Sequence, residues 1–250
     1  VPNAGRAPLD DVLVRQALQY ATNQEMINQT VYLGSGPVAY GVVSPQTPCY
    51  DEAANTMYSY DPEKAAALLD EAGWTLNDSG LREKDGELLQ IVLNSVAVGK
   101  GPEIGEALQA QWAALGIDVR NQTLASAAIQ VPVAQGGDFD IMWRDFGAND
   151  ANILATLFHS KNVGPGKGWN FSHTVIPELD ALLDEGELVS DPEERCKIYA
   201  QAQQIIAEQA LLIPIRWRMA FLGSLKPVEG LILDPTGILD FWVYDAKVAQ

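Results

Sequence analysis

Apolar residues recur along this chain at two periods, and they divide it into helices and strands. In "PLDDVLVRQALQYATN", Val14, Ala17, Leu18 and Ala21 fall at i, i+3, i+4 and i+7, with Asp10 and Asp11 placed to cap the helix. "YDPEKAAALLDEAGW" puts Asp61 at the cap and Pro62 at the first helical position, where its missing N–H does no harm. Gly73 ends that helix, and Ala65, Leu68, Leu69 and Ala72 form its buried stripe. "DPEERCKIYAQAQQIIAEQA" repeats the device with Asp191, Pro192 and a capping-box Glu194. Its apolar face is Tyr199, Ala202, Ile205 and Ile206. "PELDALLDEG" predicts a shorter helix showing Leu179, Leu182 and Leu183.

Between these the period alternates. "ELLQIVLNS" (Glu87 to Ser95) reads as a buried strand, "GPEIGEALQAQWAALG" as a helix, and "IDVRNQT" as a strand with Ile117 and Val119 on one face. "LASAAIQVPVAQGG" is helical in pattern, with Pro132 expected to break or kink it. "DFDIMWRDF" predicts a third strand. A β-α-β-α-β order of this kind argues for a mainly parallel sheet covered by helices, an α/β fold. "ALLIPIRWRMAFLG" predicts a later strand or pair of strands broken by Pro214. Residues 34–59 and 159–173 carry Gly and Pro without helical period and read as loops.

Composition narrows the function classes. The 33 acidic side chains against 16 basic ones give a net charge of −17, which opposes binding to nucleic acid or anionic lipid. It fits a soluble protein that stays monomeric outside a cell. The 47% hydrophobic content and mean hydropathy of −0.04 are ordinary for a globular protein. No apolar run reaches the roughly 18 residues of a membrane-spanning helix. Cys49 and Cys196 are the two cysteines; a single disulfide in an exported protein and a pair of free thiols both remain open.

Catalytic and metal chemistry find little support, so no catalytic residue, metal ligand or cofactor is expected. His159 and His173 are the two histidines, and neither has a second His or Cys at ligand spacing. No GxSxG elbow is present, and "GPGKGW" lacks the Ser or Thr that a phosphate loop needs after Lys167. His173 reads as a surface or capping residue. The adjacent carboxylate pairs fall on helix starts and exposed faces.

What remains is "FDIMWRDFGAND". In parallel α/β sheets ligands lie beyond the carboxyl ends of strands, where Trp143 to Asp150 stand. Aromatic surface, an amide and charges suit recognition better than bond cleavage. The bland alternative is that Arg144 and Asp145 are exposed while Trp143 and Phe146 only fill core. A hydrolase using Asp145 or Asp150 would need a second carboxylate facing one of them at about 5–10 Å.

The segments together resemble the second large lobe of a family-5 extracellular solute-binding protein of ABC importers, the peptide, nickel and oligosaccharide type. The first helix resembles the family's "P-f-D-D-v-r-V-R-q-A-l-n-y-A-i-D", and "YSYDPEKAAALLDEAGW" is the most recognisable motif. "LGIDV", "GDFDIMW", "NFSHTVIPELDALLDEG" and "DPEERCKIYAQAQQIIAEQALLIPI" follow in the family's order, and "VEGLILDPTGILDFWVYDAKV" resembles its ending. The resemblance implies a periplasmic-binding-protein type II-like lobe, with residues 1–215 forming the second, C-terminal ligand-binding lobe. Residues 216–250 would be a return segment that normally packs toward a missing first lobe, with Leu231, Ile232, Phe241 and Trp242 repacked or exposed here.

It further implies a non-catalytic, monomeric receptor, extracellular or periplasmic and lipid-anchored through an N-terminal segment absent here. Its partners would be a small-molecule or peptide ligand, the importer's membrane subunits and the missing N-terminal lobe, with no nucleic acid. The family's "W-g-a-D-Y-x-D/E-P" matches Phe146, Gly147, Ala148 and Asn149. Asn149 cannot supply the charge that binds a peptide's ammonium group, and Asp150 stands next to it. The expected ligand-binding residues are Trp143, Arg144, Asp145, Phe146, Asn149, Asp150 and Trp169. An oligopeptide is the first expectation. An oligosaccharide is the alternative if Trp143, Phe146 and Trp169 line one cleft.

Overall fold

The structure, a computed structural model, describes residues 1–147, 149–217, 219, 228–233, 241–242 and 244–248. Helix α1 (Val12–Tyr20) begins where the Asp11 carboxylate accepts the Leu13 N–H at 2.9 Å, and it buries Val14, Ala17 and Leu18. Helix α2 (Gln24–Tyr32), which the apolar pattern does not announce, is capped by Asn23 and ends at Leu33 in the left-handed region. A single turn, α3 (Glu52–Asn55), interrupts the stretch expected to be loop. Helix α4 (Pro62–Glu71) is capped by Asp61 as the sequence predicts, and Gly73 follows it at φ +88°.

Strands β1 (Thr75–Leu76), β2 (Arg82–Lys84) and β3 (Glu87–Leu88) form a short antiparallel ribbon. The predicted strand from Glu87 is therefore two: β3 joins the ribbon, and β4 (Gln90–Val96) enters the main sheet. Helix α5 (Gly101–Ala113), strand β5 (Asp118–Leu124), helix α6 (Ala127–Gly136) and strand β6 (Ile141–Met142) complete the expected alternation. The sheet order is β5-β4-β6, and both pairings are parallel, from Gln90↔Asp118 to Val96↔Leu124 and from Leu93↔Ile141 to Asn94↔Met142. Parallel neighbours need crossover connections, which α5 and α6 supply, and both helices lie against the sheet. Pro132 sits inside α6 without ending it. A proline there removes one backbone bond, and the rest of the turn survives.

Beyond β6, helices α7 (Ile153–Phe158), α8 (Pro177–Leu188) and α9 (Pro192–Glu208) make a second layer. Asp191 caps α9 by accepting the Glu194 N–H at 2.9 Å, while Glu194 turns to Lys197 instead of closing a capping box. Two antiparallel pairs follow, β7 (Val228–Glu229) with β10 (Lys247–Val248), and β8 (Ile232–Leu233) with β9 (Phe241–Trp242). Within the expected return segment, Ile232 is 48% exposed and Leu231 half-buried; the side chains of Phe241 and Trp242 lie outside those described.

The main core lies between the sheet and α1, α4 and α5. At its centre Trp112 is fully buried and donates its indole N–H to Thr22 Oγ1 at 3.2 Å. A second core joins α7, α8 and α9 through Leu154, Leu183, Tyr199 and Ile206. The irregular stretch before α3 is tied to α9 by a Cys49–Cys196 disulfide spanning 147 positions, so the two cysteines pair. Buried Arg15 connects α1 to the end of α9 by donating to the Gln209, Leu9 and Asp10 carbonyls. Gln19 does the same to Leu212. The chain after α9 is thereby held against α1. Among the described residues no helix is long and apolar enough to cross a membrane.

Candidate functional site

The sheet ends where the sequence places its most unusual side chains. Trp143 makes the last sheet bond, its N–H donating to Asn94 O at 2.8 Å, and the chain then leaves the sheet. Gln130, buried on α6, fixes that exit with both ends of its amide. Its Nε2 donates to Trp143 O at 2.6 Å, and its Oε1 accepts Arg144 Nη1 at 3.0 Å. The strand predicted over "DFDIMWRDF" is thus shortened to Ile141–Met142, because the residues after it are pulled toward α6 rather than toward β4.

Trp143 to Phe146 form one side of a cavity of about 190 Å³. Its floor is apolar and belongs to the core: Leu93, Ile104, Leu108, Trp112 and Ile141. The opposite side is built from Tyr32, from Ala39, Gly41 and Val42, and from residues 212–217. Of residues 210–223, expected as strand, 211–217 join no strand of the main sheet and follow α9 as irregular chain. Arg216 forms an isolated antiparallel bridge with Val38, and Trp217 N–H donates to Pro37 O at 3.1 Å. Residues 218 and 220–223 of that expected strand lie outside the described residues.

The cavity's lining carries two partly desolvated arginines, Arg144 and Arg216, and the exposed carboxylate of Asp145. The Arg144 guanidinium lies 4.7 Å from the Trp169 ring centroid, 5.2 Å from Phe171 and 5.8 Å from Phe146. Burial pushes its pKa below the ordinary arginine value, and neighbouring Asp145 partly offsets this. Arg216 lies 4.0 Å over the Tyr32 ring and donates Nη2 to Ser35 O at 2.8 Å. The Tyr32 hydroxyl is raised by burial, against the pull of Arg216.

The seven expected ligand-binding residues separate into two groups. Trp143, Arg144, Asp145 and Phe146 line the cavity. Trp143, Arg144 and Phe146 are half-buried there, so the aromatic pair neither fills sealed core nor faces open solvent; Asp145 is exposed. Asn149 is exposed beyond the wall, and Ala148 lies outside the described residues. Trp169, 42% exposed, stands off the cavity lining and reaches it through Arg144. Asp150 is committed elsewhere. Its carboxylate accepts Arg195 Nη1 at 2.9 Å and Nη2 at 2.6 Å, together with the Asn152 N–H at 2.8 Å. Arg195 holds the Asp150 pKa below the usual carboxylate range. This two-pronged pair pins the start of α7 to α9.

Sequence reading missed Tyr32 and Arg216. Tyr32 ends a helix whose buried face carries the polar Gln24 and Asn28 beside Ile27. Arg216 sits in an apolar run whose partner strand, 37–39, carries no strand pattern, although a cation inside "LLIPIRW" was itself a signal.

Other candidate chemistry resolves into structural contacts. His159 is buried between Asp180, at 3.2 Å from Nδ1, and Asp184, at 3.1 Å from Nε2. The Ser160 hydroxyl donates to Asp180, so no described hydroxyl or thiol bonds the imidazole as a nucleophile would. His173 is half-buried, with Nε2 2.7 Å from Ala134 O, and steadies the end of α6. Among the described residues no group of three or more His, Cys, Asp or Glu is placed to hold a metal ion.

A family model described as "Bacterial extracellular solute-binding proteins, family 5 Middle" matches residues 1–165. The chain is 33% identical over 244 residues to heme-binding protein A of Haemophilus influenzae, covering 96% of this chain and 42% of that protein. It is 30% identical over 237 residues to the dipeptide-binding protein of Escherichia coli, covering 94% of this chain and 43% of that one. The solved structure of the oligopeptide-binding protein AppA from Bacillus subtilis, in complex with a nonapeptide, superposes with a TM-score of 0.79 at 27% identity. That match covers 99% of this chain and 49% of AppA. The chain therefore spans under half the length of these relatives.

Proposed function

The chain belongs to the bacterial extracellular solute-binding proteins of family 5, and from that premise we propose that it supplies one wall of an interlobe cleft capturing an oligopeptide for an ABC importer. Its fold is the α/β lobe of a type II periplasmic binding protein, a parallel sheet flanked by helices. The observation that carries the reading is the cavity beyond the carboxyl ends of the parallel strands, with Trp143, Arg144, Asp145 and Phe146 on one side. Residues 1–215 form the lobe, and 216–250 return toward a first lobe that faces this cavity across the interlobe cleft. Asn149, Asp150 and Trp169 flank the wall. Asp150 acts by positioning the turn through Arg195 rather than by touching solute.

A receptor must bind and then release, so moderate contacts on two walls serve it better than one tight site. Closure about a hinge supplies the burial that one lobe lacks. The receptor works outside the cytoplasmic membrane as a monomer, delivering solute to the importer's membrane subunits. Similarity to dipeptide- and oligopeptide-binding proteins supports a peptide as the solute. The oligosaccharide reading rests on Trp143, Phe146 and Trp169 as stacking surfaces, and Trp169 joins the other two only through Arg144.

Native mass spectrometry of the gently purified two-lobed protein tests this. Retained peptide masses are expected; hexose-spaced masses would replace the peptide by an oligosaccharide. Titrating that solute into this chain and into the two-lobed protein tests the shared cleft. Binding should be far weaker to this chain, and equal affinities would refute a second wall.

A further inference from the structure

Behind one bank of the large cavity lies a second, much smaller one of about 20 Å³. Gly41, Val42, Leu212 and Pro214 line both, so these four residues stand between the two spaces. Two buried amides reach the small cavity from different elements, Gln19 from α1 at 4% exposure and Asn55 from α3 at 2%. The nitrogen of each fixes its orientation. Asn55 Nδ2 donates to Asp51 O at 2.6 Å and to Gln203 Oε1 at 3.0 Å, and Gln19 Nε2 donates to the Leu212 carbonyl. Turning either amide over would set its oxygen against another oxygen, so each oxygen keeps the remaining direction. Gln19 Oε1 and Asn55 Oδ1 are both buried, and neither accepts a hydrogen bond from a described residue.

The polar neighbours cannot supply the missing donors. Tyr58 gives its hydroxyl hydrogen to Ala207 O at 2.8 Å. Gln203 gives its amide hydrogens to Cys49 O at 2.7 Å and Tyr199 O at 3.0 Å. A buried carbonyl oxygen left without a donor forfeits the whole of its hydration, which outweighs what an ordinary hydrogen bond returns. Two acceptors facing one small space therefore call for a ligand that carries two hydrogens. The volume suits a single water, which needs roughly 10–15 Å³ or more and two to four polar partners. A cation would bring a buried charge, and among the described residues no carboxylate lines this cavity to balance it.

We propose that the small cavity binds one internal water, which donates one hydrogen to Gln19 Oε1 and the other to Asn55 Oδ1. The two amides belong to separate networks. Asn55 is joined through Gln203 to α9 and to the stretch at Cys49, whereas Gln19 holds the chain after α9 at Leu212. The water links these supports from behind the bank, with Gly41 and Val42 on one side and Leu212 and Pro214 on the other. It serves the lobe whichever solute is captured.

Crystals of the 250-residue chain grown from rubidium chloride provide the direct test. One peak is expected within about 2.6–3.2 Å of both oxygens, without an anomalous rubidium signal. A site with no density overturns the proposal, and so does an anomalous peak, which would assign a cation. In solution, ¹⁷O magnetic relaxation dispersion counts long-lived internal waters. Gln19→Met keeps the reach of the side chain and removes the amide, so this variant should hold one long-lived water fewer than the parent. Gln201→Met, at an exposed position on α9, should match the parent. A purely structural loss at Gln19 would lower stability and leave the count alone, so an unchanged count in Gln19→Met refutes the site. The crystal of the unaltered chain decides the matter if that variant fails to fold.

Discussion

Adding one methyl group at Gly41 should dislodge a buried side chain on the far side of the cavity wall. A Cβ at Gly41 would lie 1.5 Å from Asn55 Oδ1, 2.1 Å from Cγ and 2.4 Å from Cβ, far inside contact distance. Asn55 is 2% exposed, and its Nδ2 donates to Asp51 O at 2.6 Å and to Gln203 Oε1 at 3.0 Å. It cannot swing away without losing both bonds, at about 1 kcal/mol each. Repacking around the added methyl costs a further 1–3 kcal/mol or so. Gly41→Ala is thus expected to destabilise the chain by about 3–5 kcal/mol, a loss of roughly 6–20 °C in Tm for a domain of this size. Gly147→Ala is the matched control, since nothing lies within 4 Å of its Cβ position, and it should stay within about 0.5 kcal/mol of the parent. Urea unfolding followed by circular dichroism measures both. Asn55→Gly removes the obstruction, so Gly41→Ala should cost little in that background, a non-additivity read by a double-mutant cycle. If Gly41→Ala unfolds with the parent, or its cost persists in the Asn55→Gly background, the packing argument fails.

Three other perturbations follow from particular contacts. The Asp150 pKa is depressed by Arg195, so its contribution is fully present above the ordinary carboxylate value of 3.8 and is lost as pH falls through the lower folded value. Asp150→Asn should therefore be less stable than the parent at pH 6, and the gap should close on acidification below about pH 4, as urea midpoints across that range would show. Replacing both Cys49 and Cys196 with Ser opens a closed loop of 147 positions and should lower stability by about 2–4 kcal/mol, seen as a thermal shift that reducing agent mimics in the parent alone. Gly186→Ala places a Cβ 2.8 Å from the buried Tyr199 ring, so the overpacking cost of about 1–3 kcal/mol should outweigh the roughly 1 kcal/mol gained in helix propensity; a higher Tm would refute the α8–α9 contact.

Local signals carried the sequence reading where they act alone. Asp61-Pro62 and Asp191-Pro192 open helices because a carboxylate meets an orphan N–H and proline needs none, whatever surrounds them. The strand–helix alternation through β4, α5, β5 and α6 was legible from the apolar run of β4 and the glycines that bound α5. What escaped depends on distant partners. Helix α2 buries the polar Gln24 and Asn28 beside Ile27 and is secured by Asn23 and by Gln111, which accepts the Asn23 N–H at 2.8 Å from α5. Strand β6 stops early because Gln130 on another helix takes the Trp143 carbonyl. Four of the seven expected ligand-binding residues were found together because they follow one strand end, whereas Arg216 arrives from a segment positioned by Arg15 and Gln19. The pairing of Cys49 with Cys196 has no local signature at all.

That covalent bond has a bearing on where the molecule can be finished. Thiols stay reduced in a cytosol kept that way by glutathione, and they oxidise in the periplasm or outside the cell. A copy retained in the cytosol would hold residues 34–59 to α9 without a covalent tie, by the packing of Val43 on Tyr199 and Ile206 and by bonds such as Gln203 with the Cys49 carbonyl. Those residues include Ala39, Gly41 and Val42, one bank of the cavity. An oxidising compartment thus completes this lobe's architecture, since the covalent tie that fastens one bank of the cavity to α9 forms only there.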